Sequence, residues 1–337
     1  MKRLLPILFS LSLLAIVALP RAASAVTFKL ASLAPDRSVW ASVLSEMAAE
    51  WKEATDGRVT MRIYPSGVAG DDPDVVRKMR IGQLHAGTIT QAGLTEIDPA
   101  FNLFNTPLFF ESYEEYFYVI EQIQPALEKL LNDRGFVLLH WAHGGWVHLF
   151  ATKKVESVAD LKRLKLFVWA GSDRMVRWWK NAGYKPVPLA FTDVATALQT
   201  GMVEAMPNTP LAALSFQSYR NTPFMLGMGF APFLGATLVT TTAWNRLDAT
   251  DRQAIMASVD KAAERFRTEV PEQDAQAIIE MEKRGLDVIS VEDPALMQQW
   301  HAEAEKFAAA MREDFVPAEI YDLAVEARQK YRDTNSE

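Results

Sequence analysis

The chain has 337 residues, no cysteine and a formal net charge of −7. Without cysteine there are no disulfides, thiol nucleophiles or thiolate metal sites, and no lipid-modified N-terminal cysteine. The acidic balance argues against nucleic acid and anionic membrane surfaces as partners.

Residues 1–25 read as an export signal. Lys2 and Arg3 form a positive start, Leu4 to Leu19 are almost wholly apolar, and Ala23-Ser24-Ala25 is an A-x-A cleavage site. An uncleaved anchor is the alternative reading. Cleavage would remove Lys2, Arg3 and Arg21, take the formal charge to −10 and leave about 312 residues from Val26. That is enough for two domains. Export without disulfides points to the bacterial periplasm, and no later segment is apolar enough to span a bilayer.

"VTFKLAS" alternates as a strand does. Val39, Trp40, Val43, Leu44, Met47 and Trp51 then recur at helical spacing behind Ser38, a plausible N-cap. "GRVTMRIYPSG" is a second strand, "DDPDVVRKMRIGQL" a helix with an acidic, proline-bearing start, and "HAGTIT" a third strand. This order predicts a parallel, doubly wound sheet. The pattern restarts with "FVLLHWAH" and "VHLFATK" as two strands, a turn being expected at Gly144-Gly145. "KLFVWAG", "DRMVRWWKNAG", "KPVPLA" and "DVATALQTGMV" follow as strand, helix, strand and helix. "ATLVTTTAW" is a late strand that can return to the first unit, and the remaining chain is mostly helical. Two such units make two lobes, with a ligand expected beyond the carboxyl ends of their strands.

Motifs for catalysis are absent: there is no G-x-G-x-x-G, Walker A, G-x-S-x-G or H-E-x-x-H. His140, His143 and His148 read as satisfied or surface imidazoles rather than a metal site, and Asp71, Asp72 and Asp74 as ordinary acidic residues at a helix start. No cofactor, metal or enzymatic activity is expected.

The stretches "GRVTMRIYPSGVAGDD", "DLKRLKLFVWAGS" and "NAGYKPVPLAFTDVATALQTGMVEAMPNTPLAAL" resemble the solute-binding subunit of TRAP transporters, the DctP-like family. Gly183, Pro186, Pro188, Phe191, Asp193, Ala197, Leu198, Gln199, Gly201, Glu204, Asn208 and Pro210 fall in order on the family's pattern. The similarity runs from about residue 27 to about residue 320. It implies a two-lobed α/β periplasmic binding protein: two doubly wound sheets, a ligand cleft between them and a long interlobe helix. Its partners would be a small molecule and the membrane permease subunits that receive it. Residues 26–145 with 236–272 would form lobe I, and 146–235 with 273–330 lobe II.

The family usually binds organic acids through an arginine in a strand motif of the form G-l-K-i-R-v-p. Here Lys165 and Leu166 match, the arginine position is Phe167, and the proline two residues on is Trp169. A second family arginine, in an upstream G-x-R strand, corresponds to Val147, beside Trp146. A carboxylate enclosed without a partner costs several kcal/mol, whereas burying ~300 Å² of apolar ligand surface offers roughly 7 kcal/mol before association costs. The expected ligand is therefore neutral, hydrophobic or amphipathic. An organic acid held by a relocated cation, Arg174 or Arg37, is the alternative. A hydrophobe carrier independent of any permease is a further one.

Other candidate contacts are Trp40, after the first strand's loop, and Gln91 and Asn208, at strand ends. Core packing serves Trp40 equally well, and turn formation serves the two amides. Phe230 and Phe233 flank the expected interlobe crossover, with Gly227, Gly229 and Gly235 suited to a hinge or simply to a strand end. Trp178-Trp179 suggests one core and one semi-exposed ring, with a permease contact as the alternative.

Overall fold

The computed structural model describes residues 25–335, so the export signal lies, apart from Ala25, outside the described residues. The first unit is β1 (Val26–Ser32), α1 (Val39–Ala54), β2 (Val59–Tyr64), α2 (Asp72–Arg80) and β3 (Ala86–Thr90). Ser38 caps α1 by accepting from the Ala41 N–H, as its sequence position suggests. Phe28 meets Trp51 edge-on at 5.5 Å and both are fully buried, which fixes α1 against β1. Next come α3 (Gln91–Ile97), a 3₁₀ turn over Pro99–Asn105, and α4 (Tyr113–Asp133).

Gly144-Gly145 makes no turn. One strand, β4 (Phe136–Ala151), runs through both expected strands. The glycines produce a bulge instead: the pairing register shifts between His143 and Trp146. The second unit follows as α5 (Val158–Arg163), β5 (Lys165–Trp169), α6 (Asp173–Asn181), β6 (Lys185–Leu189), α7 (Val194–Gln199), β7 (Ala205–Asn208) and α8 (Pro210–Ser215). The short β8 (Phe224–Leu226) precedes the returning strand β9 (Ala231–Thr240) and α9 (Thr241–Trp244). Then come α10 (Ala249–Glu282), β10 (Asp287–Ile289), α11 (Pro294–Ala310), a π turn over Met311–Phe315, and α12 (Ala318–Thr334).

The strands form the order β2-β1-β3-β9-β4-β7-β5-β6, with β8 and β10 to one side. Each unit places its first strand centrally: β1 pairs in parallel with β2 and β3, and β5 with β6 and β7. The two parallel halves meet through β4 and β9, which are antiparallel to each other and long enough to serve both. The late strand does return to the first unit.

Helix α10 has 34 residues, about 50 Å at 1.5 Å per residue. Ile255, Val259 and Phe266 pack in the first unit's core, while Met281 packs with Phe150 and Met225 in the second. Between them sits Asp274, buried, whose carboxylate accepts the Trp146 and Leu211 N–H groups, both at 2.8 Å. It therefore ties the bulge in β4 and the start of α8 to α10. Gly145 makes room for it: φ is +108°, and a Cβ there would lie 2.6 Å from an Asp274 oxygen.

Burial pushes the Asp274 carboxyl up to about 7, and the two N–H donors offset only part of that cost. The unfolded carboxyl ionises near its ordinary value, so this group's contribution is largest at low pH and is lost as pH rises from about 4 through 7. Calorimetric melts at about pH 5 and pH 8 are expected to show the wild-type Tm falling relative to that of Asp274→Asn; a difference that does not change with pH contradicts the assignment. Gly145→Ala is expected to destabilise the fold by about 2–4 kcal/mol in denaturant titrations, through strain and the lost carboxylate seat.

Candidate functional site

The carboxyl ends of β1, β3, β5 and β7 converge on two adjoining cavities of about 530 and 100 Å³. Phe167, Trp169, Pro207 and Phe233 line both and so form the partition between them. Phe167 is 1% exposed because β5 is covered on both faces. Its ring lies 5.6 Å from Trp169, and Trp169 stacks on Phe191 at 5.3 Å with planes 16° apart. Phe216 continues the wall edge-on to Phe191 at 5.1 Å. Gly144 lets Phe233 in from the opposite side, since a Cβ there would lie 2.3 Å from the Phe233 ring.

Gln91, Val147 and Phe230 line the larger cavity, and Trp40 and Asn208 the smaller. Several are already engaged. Trp40 donates its indole N–H to the His143 carbonyl at 3.1 Å, and Gln91 donates to the Phe101 carbonyl at 3.2 Å. Asn208 accepts the Thr209 N–H at 2.9 Å, which is the turn-holding role for that amide. Trp146 lines neither cavity. Adjacent strand residues face opposite ways, so with Val147 turned to the cavity the Trp146 ring packs edge-on against Tyr113 at 5.1 Å. Gly235 lies inside β9, not at a free hinge.

The pattern reading missed Phe191 as a wall residue, although it follows a strand end and so carried the usable signal. It also missed that Trp178 and Trp179 line the larger cavity together with Trp300 and Phe307 of α11. Those rings come from segments more than a hundred residues apart, and nothing local announces their meeting.

Charge in the larger cavity is sparse and mostly negative: Glu96, Glu303 and Asp314 against one cation, Arg174. That guanidinium pairs with Asp314 and lies 5.0 Å over the Phe315 ring. Arg37 is exposed and lines neither cavity. Glu303 accepts from the Tyr184 hydroxyl at 3.0 Å and pairs with Lys162 at 2.7 Å.

In the smaller cavity the imidazole of His143 is neutral, pushed down to about 3 by burial and by the nearby Arg267 charge; its ring meets the Tyr116 hydroxyl at 3.0 Å. His148 meets the Leu226 carbonyl at 3.1 Å and His140 the Trp141 carbonyl at 3.0 Å, so the three rings point to separate partners. Hydrogen bonds cross between the two units at the cleft edge; the Leu108 N–H, for one, donates to the Phe230 carbonyl at 2.6 Å. The Phe191 N–H, beyond β6, donates to the Asp71 carboxylate, before α2, at 2.8 Å.

The two units thus face each other across a cleft walled by rings and bridged by hydrogen bonds. Residues 30–314 match the family model described as DctP, bacterial extracellular solute-binding protein, family 7. The sialic acid-binding periplasmic protein SiaP of Vibrio cholerae is 24% identical over 284 residues, 82% of this chain and 87% of that one. Two solved structures superpose closely. A TRAP periplasmic solute-binding protein of Chromohalobacter salexigens with bound d-glucuronate gives a TM-score of 0.81 at 22% identity, covering 90% of this chain and 99% of that one. DctP7, a Bordetella pertussis extracytoplasmic solute receptor binding pyroglutamic acid, gives 0.82 at 20% identity, covering 90% of this chain and 100% of that one. The chain belongs to the DctP family of bacterial extracellular solute-binding proteins and is a solute receptor rather than an enzyme.

Proposed function

We propose that this receptor encloses an uncharged, apolar or amphipathic small molecule and passes it to its permease. The observation that carries the reading is Phe167: a fully buried ring, packed at a tilt against Trp169 in an aromatic wall, at the position where the resemblance expects the acid-gripping arginine. Val147 stands at the second expected arginine, and Arg174 is paired with Asp314. The named relatives bind sialic acid, d-glucuronate and pyroglutamic acid, all acids, so this chain would part from them in ligand while keeping their fold.

The contact set in this reading is Trp40, Gln91, Val147, Phe167, Trp169, Asn208, Phe230 and Phe233, with Trp146 as support behind the wall. Residues 1–25 act as a cleaved export signal. Residues 26–145 with 236–272 act as one lobe, and 146–235 with 273–330 as the other, closing over the ligand. Desolvating a carboxylate against rings costs several kcal/mol with no bidentate partner to offset it. The same rings favour an apolar guest by about 25 cal/mol for each Å² they cover.

Organic extraction of the purified protein followed by mass spectrometry is expected to release a neutral hydrophobic compound; a bound acid overturns the reading. Phe167→Arg is expected to confer calorimetrically detectable binding of a sugar acid such as d-glucuronate that the wild type lacks, and unchanged specificity would put Phe167 outside the contact set. For closure, Asp71→Ala removes the acceptor for the Phe191 N–H. A hydrogen bond to a charged group contributes about 1.5–3 kcal/mol, so the variant is expected to show a larger mean radius of gyration by small-angle X-ray scattering.

A further inference from the structure

We infer that the wall built by α3 and the 3₁₀ turn after it recognises a hydrogen-bond donor, so that the ligand carries a hydroxyl or N–H group set against the side-chain oxygen of Gln91. The inference rests on Gln91 belonging to the contact set, and it holds whatever the charge on the rest of the ligand. Five polar side chains of this wall line the larger cavity: Gln91, Thr95, Glu96, Asn102 and Asn105. Four of them turn a donor towards the protein. The Gln91 amide donates to the Phe101 carbonyl at 3.2 Å, and the Thr95 hydroxyl to the Ala92 carbonyl at 2.9 Å. The Asn102 amide donates to the Pro99 and Phe315 carbonyls at 3.1 and 3.3 Å, and Asn105 donates to the Asn102 oxygen at 3.5 Å. Glu96, the fifth, is a carboxylate paired with Arg80 at 3.4 Å.

Gln91 is the one buried member of the five, at 4% exposure. A carbonyl oxygen accepts and cannot donate, so the bond to Phe101 fixes the two ends of the amide: nitrogen at Phe101, oxygen on the other side. That oxygen has no hydrogen-bond partner among the described residues, yet it is not sealed off. On a side chain otherwise enclosed by protein, the cavity is where it opens. An enclosed amide oxygen requires a donor. A guest that brings only acceptors sets oxygen against oxygen and displaces the water that would serve in its place. A guest hydroxyl or N–H completes the amide. This selection is finer than charge, since an alcohol and its methyl ether are equally neutral and only the alcohol fits.

The test titrates the mature chain calorimetrically with 2-naphthol and with 2-methoxynaphthalene, in which a methyl group replaces the donor proton. The wild type is expected to bind the naphthol about tenfold more tightly. Gln91→Met removes the oxygen at similar length and is expected to erase that preference, whereas Gln91→Glu keeps an acceptor there and is expected to retain it. A wild type that binds the ether as tightly as the naphthol, or a Gln91→Met variant that discriminates as well as the wild type, overturns the inference. Should the Met variant fail to fold, Gln91→Leu serves in its place, and the wild-type comparison stands by itself. If neither naphthalene binds while d-glucuronate does, the uncharged-ligand reading falls and the hydroxyl-rich acid takes over the test. Gln91→Met is then expected to weaken it about tenfold, and an unchanged Kd overturns the inference. If no probe binds, the compound extracted from the protein decides: a hydroxyl or N–H on it supports the inference, and a guest with acceptors alone overturns it.

Discussion

Two strands, β4 and β9, are long enough to belong to both halves of the molecule, and the architecture depends on them. Each parallel unit needs a neighbour to cover its inner edge, since an open edge of unpaired N–H and C=O groups invites misassociation. The antiparallel pair supplies that cover to β3 on one side and β7 on the other. Because the same pair continues from one half to the other, it also sets how the halves meet. The bulge at Gly145 is where β4 changes course, and the Asp274 carboxylate holds that point against α10. Strand, bulge, carboxylate and helix thus act as one joint, and the cleft opens beside it.

Within the cleft the decisive balance is between charge and surface. An ionised guest enclosed without a partner charge is penalised by several kcal/mol, while rings reward hydrocarbon in proportion to the area they cover. Phe167, Trp169 and Phe191 stand as a continuous wall, and Arg174 is held by Asp314. Solved relatives with the same chain path hold acids. A shared backbone therefore leaves the ligand to a handful of side chains, which is the general relation between fold and function.

Much of the fold was legible in the sequence. Strand alternation and the Ser38 cap predicted elements that formed. The segment from 91 to 135 carried no clear pattern, and α3 and α4 were not anticipated there. The strands β7, β8 and β10, of three or four residues, are too short for periodicity to register. Gly144-Gly145 was misjudged for a physical reason: the dipeptide favours a turn locally, but pairing with β9 on both sides carried the strand through and spent the conformational freedom on a bulge. At the candidate site the departures at Phe167 and Trp169 were visible once the resemblance was drawn. The gathering of Trp178, Trp179, Trp300 and Phe307 was not, because it depends on α6 and α11 meeting from distant parts of the chain.

An exported protein takes on the acidity of its surroundings, and the interior here contains opposing responses to it. Asp72, raised to about 7 by burial, adds a second carboxyl like Asp274 whose folded form holds its proton where the unfolded form has lost it. His140 and His143, pushed down to about 4 and 3, do the reverse, since they stay bare where the unfolded rings would take a proton. On acidification from about pH 6.5 to 4 the carboxyls strengthen the fold and the imidazoles weaken it. Carboxyls that keep their protons and imidazoles that refuse them, set within one framework, pull the molecule's integrity in opposite directions as ambient acidity changes.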